Sequence, residues 1–147
     1  MDYQTPLKNT NKDNEKGIDL VGTDGKALYL LEYKRMISDE SLLRSVLEAY
    51  SYRRLIDQGI KKFARDFGFE KADVIPAILM MEGSHQHKTY LEQDSNSPII
   101  KLMNELGVKA FVIKPSKKFV ENDQMKIQLA EEHPVFDFVL SIQPCSK

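Results

Sequence analysis

Residues 17–34 constrain this chain more than any other stretch. Two largely apolar runs, Ile18 to Val21 and Ala27 to Leu31, flank Asp24-Gly25. Asp-Gly in that setting predicts a hairpin, because glycine accepts the positive φ that tight turns require. The expected strands carry unusual polar cargo: Asp19 inside the first, Glu32 and Lys34 inside the second. Side chains alternate along a strand, so Glu32 and Lys34 share a face with Leu28 and Leu30. If the loop is Asp24 and Gly25 alone, Thr23 pairs with Lys26 and Asp19 lies opposite Leu30. Asp19 is then the diagonal neighbour of Glu32, roughly 7–8 Å away. A loop longer by two residues keeps this register, and one longer by a single residue breaks it. The expected result is two carboxylates and one ammonium on one spot.

Charges on an apolar face are costly unless paired or bound to a metal. Carboxylate oxygens at that spacing suit Mg²⁺, a hard cation that keeps several waters for a substrate. A lysine beside them can orient or deprotonate an attacking water, or offset the charge of a phosphate.

Asp19 together with the Glu32-Tyr33-Lys34 triplet resembles the PD-(D/E)XK nuclease superfamily, the restriction-endonuclease-like fold. The resemblance runs from about residue 17 to 82, since a long helix and then a strand follow the triplet, as in that fold's core. It implies Mg²⁺- or Mn²⁺-dependent hydrolysis of phosphodiester bonds, with DNA as the expected partner. Asp19 and Glu32 would hold the metal with help from the Tyr33 carbonyl, and Lys34 would act on the water. The family usually begins with a helix that often carries another acid. Here residues 1–16 are polar, with a short strand expected at Tyr3–Lys8 and loop after it. The expectation is a domain trimmed of that helix, or one that receives it from a partner. Ile18 also stands where the family has proline before the first acid.

After Lys34, Ser38-Asp39-Glu40-Ser41 supplies helix N-cap residues. The helix is expected from about residue 40 to 66, with an apolar stripe through Leu43, Val46, Leu47 and Tyr50 and a kink or a break at Gly59. The family often places a Gln and a Tyr on this helix near the site. Tyr50 is the candidate for the Tyr, while Arg44 and Glu48 occupy the turn where the Gln is expected. Arg53 and Arg54 are candidate phosphate contacts, which position a nucleic acid without reading its sequence. The competing reading is a solvated face, since acids such as Glu48 and Asp57 are interleaved.

Val74 to Met81 reads as a buried strand with Pro76 near its start. Residues 83–97 read as a long polar loop. Within it, His85 and His87 lack a third ligand at useful spacing. Ser97-Pro98 opens a short helix that ends at Gly107, and Val108–Ile113 is a further strand. A helix over 123–132 and an edge strand or dimer contact over 135–142 complete the expectation.

The whole is expected to be one α/β domain of 147 residues. Its mixed central sheet would carry an antiparallel hairpin leading into crossover helices, in restriction-endonuclease-like form. Net charge is −1, so a nucleic-acid partner would have to be met by a local basic patch. One cysteine, Cys145, excludes an internal disulfide framework and suits a reducing, cytoplasmic compartment. No apolar run reaches membrane-spanning length. Two rivals stand beside the nuclease: a catalytically inactive nucleic-acid- or protein-binding module on the same fold, and an unrelated α/β domain with Glu32 and Lys34 as a structural ion pair.

Overall fold

A computed structural model describes residues 2–5, 17–71, 73–115, 139–145 and 147. Its frame is a six-stranded mixed sheet whose spatial order follows the chain: β1 (Asp2–Thr5), β2 (Ile18–Thr23), β3 (Ala27–Lys34), β4 (Asp73–Met81), β5 (Lys109–Pro115) and β6 (Val139–Cys145). β1, β2 and β3 form an antiparallel meander. β4 joins β3 in parallel, β5 joins β4 in parallel, and β6 returns antiparallel to β5. The helices are α1 (Leu42–Leu55), α2 (Ile60–Asp66), α3 (His85–Glu92) and α4 (Pro98–Leu106). Parallel neighbours need long crossovers, and the helices occupy them: α1 and α2 between β3 and β4, α3 and α4 between β4 and β5.

The α/β class, the hairpin and the helical crossovers agree with expectation. The hairpin register does not. Thr23 pairs with Leu28, Val21 with Leu30 and Leu20 with Leu31, leaving Asp24, Gly25, Lys26 and Ala27 between the first paired residues. The loop is wider because its own side chains build it. Asp24 Oδ1 accepts from the backbone N–H of Lys26 and of Ala27, each at 2.9 Å, and Thr23 Oγ1 donates to the Ala27 carbonyl at 2.8 Å. Counting on from Leu20 and Leu31 sets Asp19 against Glu32 itself rather than against Leu30. A four-residue loop is expected to keep the register, but this one begins after Thr23 and extends only on the β3 side, so the register moves by two residues and the faces are unchanged.

One face of the sheet carries Leu28, Leu30, Glu32 and Lys34 of β3 beside Val74, Pro76, Ile78 and Met80 of β4. α1, α3 and α4 pack here: Leu42, Val46 and Ala49, with Tyr90, Ile100 and Met103, cluster on Ile78, Met80 and Ala110. Tyr52, Ile56 and Ala64 close the adjoining cluster over Leu28, Leu30 and Val74. The other face gathers Leu31, Ala77, Leu79, Met81 and Ile113.

Local chemistry explains the helix ends. Ser41, Ser84 and Ser97 cap α1, α3 and α4, each hydroxyl accepting from the backbone N–H three residues on. The helix expected over 40–66 breaks at Gly59, as its sequence allowed, through a 3-10 turn at Asp57–Gly59 whose last residue is the N-cap of α2. Residues 85–92, expected as loop, are helical. Only Gln86 and Tyr90 of α3 are buried, so the stretch has almost no apolar stripe to announce it. The first strand is Asp2–Thr5, and the rest of the expected Tyr3–Lys8 lies outside the described residues, as does the helix expected over 123–132. The last strand begins at Val139, and 135–138 lie outside the described residues. Among the described residues no helix is long and apolar enough to cross a membrane.

Candidate functional site

β3 carries Glu32 and Lys34 to the sheet face that α1 covers. Both are buried, at 5% and 4% exposure, among side chains that are otherwise apolar. Burial of charge at this depth requires partners, and each has them. Lys34 Nζ donates to Glu32 Oε1 at 2.6 Å, to Glu48 Oε2 at 2.9 Å and to Glu40 Oε2. Tyr52, one turn beyond Glu48 on α1, donates its hydroxyl to Glu32 Oε2. Both oxygens of Glu32 are thus engaged. Arg44 Nε donates to Glu48 Oε1 at 3.0 Å and lies 3.5 Å from Glu40 Oε1.

Asp19 stands beside this group. Its Oδ2 accepts from the backbone N–H of Tyr33 at 3.1 Å, which ties the hairpin arms together at the triplet. Its charge acts on Glu32 and on Tyr52. Asp19 therefore acts on Glu32 through its charge, whereas the direct partners of Lys34 are Glu32, Glu40 and Glu48. The Tyr33 side chain leaves the site and packs with the cluster on the opposite face of the sheet.

The electrostatics follow from burial and pairing. Burial raises the Glu32 carboxyl to about 7, against the hydrogen bonds from Lys34 and Tyr52 that favour its charge, and the nearby Asp19 adds to the rise. Burial works against the Lys34 ammonium, but three carboxylates outweigh it and raise its pKa. Glu48 also loses solvent, yet Lys34 and Arg44 hold it down at about 2. Burial and Glu32 together raise the Tyr52 phenol. Lys34 is accordingly a firm cation, and burial sets the Glu32 carboxyl well above the usual carboxylate range.

One carboxylate oxygen each from Glu32, Glu40 and Glu48 lies within 4.8 Å of the others, a spacing that can hold a metal ion. The Lys34 ammonium sits among them and supplies the positive charge there. Side-chain exposure rises from 5% at Lys34 to 31% at Glu40 and 56% at Arg44, so the group opens to solvent at the N-terminal end of α1.

The expected substrate residues fare differently. Tyr50 is half-buried and packs against the core cluster of Leu42, Val46 and Ile78. Arg53 Nε donates to the Val74 carbonyl at 3.1 Å and its Nη1 pairs with Asp57, while Arg54 Nη1 pairs with Asp57 at 2.8 Å. Arg53 also lines a cavity of about 840 Å³ with Lys26, Lys61, Lys71 and Asp73, at the opposite end of β3 and β4 from Lys34. His87 Nδ1 accepts from the Gly83 N–H, a local contact at the start of α3.

Sequence reasoning passed over Glu40, Glu48 and Tyr52 as site residues. A signal was present: Glu40, Arg44, Glu48 and Tyr52 recur every four residues, the repeat of one helix face. Comparison with known proteins adds no counterpart: no family model, curated protein or solved structure matches the chain.

Proposed function

We propose that this chain is a divalent-metal-dependent nuclease domain of the restriction-endonuclease-like kind, acting on DNA. The observation that carries the reading is the buried Glu32–Lys34 pair on one sheet face, with Asp19 of the neighbouring strand bonded to the backbone N–H of the residue between them. Three further features support it. An antiparallel meander leads through a helix into a parallel strand, matching the order the resemblance implies. The helix after the triplet presents a tyrosine to the site, Tyr52 rather than Tyr50. The donor set is all oxygen and anionic, as Mg²⁺ or Mn²⁺ prefers.

Asp19 and Glu32 would hold the ion, with the Tyr33 carbonyl as a further oxygen. When bound, the ion polarises a phosphate oxygen and lowers the pKa of a water. Glu32 must then exchange its hydrogen bond from Lys34 or from Tyr52 for the metal. Lys34, freed on one side, is a cation set to stabilise charge developing at phosphorus and to orient the attacking water. A cytoplasmic setting goes with this reading, Cys145 being the sole cysteine.

A specific observation favours a second reading, a non-catalytic binding module. Three carboxylates neutralise Lys34, and Arg53 and Arg54 are both paired to Asp57. Metal binding separates the two. Mn²⁺ titration followed by paramagnetic resonance should show a bound ion in the wild type and a loss of at least about tenfold in affinity in Asp19→Asn. Equal, weak binding in both proteins supports the module.

A further inference from the structure

Glu40 reaches Lys34 from a segment that has no regular structure of its own. Residues 35–41 link β3 to α1 through a turn in which Ser38 N–H donates to the Arg35 carbonyl at 3.1 Å. Glu40 precedes the cap residue Ser41, so the α1 ladder does not fix its backbone. What does fix it comes from far along the chain. Gln86, in the first turn of α3, is fully buried. Its Nε2 donates to the Glu40 carbonyl at 2.7 Å and to the Ser38 carbonyl at 3.1 Å, and it shares a contact with Ser38 Oγ at 3.3 Å. Two carbonyl acceptors identify this end of the amide as the nitrogen, because an oxygen there would be repelled.

The other end of the amide is informative too. Gln86 Oε1 is buried with no hydrogen-bond partner among the described residues. A buried acceptor left without a partner is destabilising. An apolar residue of similar volume would avoid that cost, but it would leave the Ser38 and Glu40 carbonyls without their donor. The amide holds the two carbonyls that set the path of residues 38–40.

We infer that Gln86 is a positioning residue for the charged cluster: from α3 it holds the 38–40 backbone so that the Glu40 carboxylate closes over the Lys34 ammonium. Its weight in catalysis rests on the nuclease reading, whereas the positioning itself does not. Without Gln86, the Glu40 backbone keeps, among the described residues, only the 3.4 Å contact of its N–H with Ser38 Oγ, and Lys34 keeps Glu32 and Glu48 but loses its most exposed partner.

The test reads Lys34 directly, with no nucleic acid or metal present. Ammonium protons held by three carboxylates exchange slowly with water, and their rate is measurable by ¹H–¹⁵N NMR of the full chain. Glu40→Gln should speed exchange by about tenfold, the scale of one lost hydrogen bond to a charged group. Gln86→Met should do the same, and the double variant should go no further than either single one, as residues acting on one contact are non-additive. Gln86→Asn, which keeps the amide but withdraws it by one methylene, covers the case in which the methionine variant does not fold. Normal Lys34 exchange in a folded Gln86 variant overturns the assignment, whatever its melting temperature. So does full additivity with Glu40→Gln. Failure of DNA cleavage with coupled exchange intact counts against the nuclease reading alone.

Discussion

Tyr52 donates its hydroxyl to Glu32 Oε2 across twenty residues of sequence, from the last turn of α1 to the second half of β3. It is buried at 6% exposure, so water cannot replace it as donor. Tyr52→Phe therefore leaves a buried carboxylate oxygen without its partner, and chemical denaturation should show a loss of about 1–3 kcal/mol. The Glu32 pKa should rise further, because a hydrogen bond favouring its charge has gone. Tyr50→Phe, two residues away on the core side, should change stability by less than about 0.5 kcal/mol.

The pH dependence of stability has two arms. Glu32 is raised from 4.5 to about 7 by burial, so between these values the folded state holds a proton that the unfolded state has lost. Stability contributed by that proton is present below about 4.5 and falls as pH rises toward about 7. Glu48 is lowered from 4.5 to about 2, with Lys34 and Arg44 outweighing its burial. Its contribution is present above about 4.5 and is lost as pH falls toward about 2. Denaturation midpoints should therefore decline on both sides of about pH 4.5, and Glu32→Gln should remove the alkaline arm while leaving the acid one.

Gly107 ends α4 with φ of 67°, and its N–H bonds back to the Met103 and Asn104 carbonyls. A Cβ built there meets nothing within 4 Å. The cost of Gly107→Ala is thus conformational alone, about 1–2 kcal/mol. Urea unfolding at neutral pH should give that loss with an unchanged m-value.

Much of this arrangement was legible from sequence, for a simple reason. Period-two alternation fixes which side chains share a face, and a register error of two residues leaves that unchanged. Glu32 and Lys34 were readable together on one face. The register itself was not, because Asp24 and Thr23 widen the loop through side-chain bonds that the Asp-Gly signal does not encode. Tyr52 was missed because α1 presents Tyr50 and Tyr52 to different neighbours, and only the crossing of helix over sheet decides which meets Glu32. Gln86 was out of reach: its partners lie 46 and 48 residues earlier, and a polar residue in a polar stretch announces no helix.

On the proposed function, Asp19, Glu32 and Lys34 form a metal-dependent hydrolytic centre. Cleavage of labelled single- and double-stranded DNA in Mg²⁺ or Mn²⁺ tests it most directly, with wild type compared with Lys34→Ala and Asp19→Asn, each shown folded by circular dichroism. The account predicts cutting by the wild type that chelation abolishes and that falls by at least about a hundredfold in either variant, the scale of removing a group that acts in the transition state. No cutting by the folded wild type on any of these substrates, or cutting that both variants retain, would contradict it.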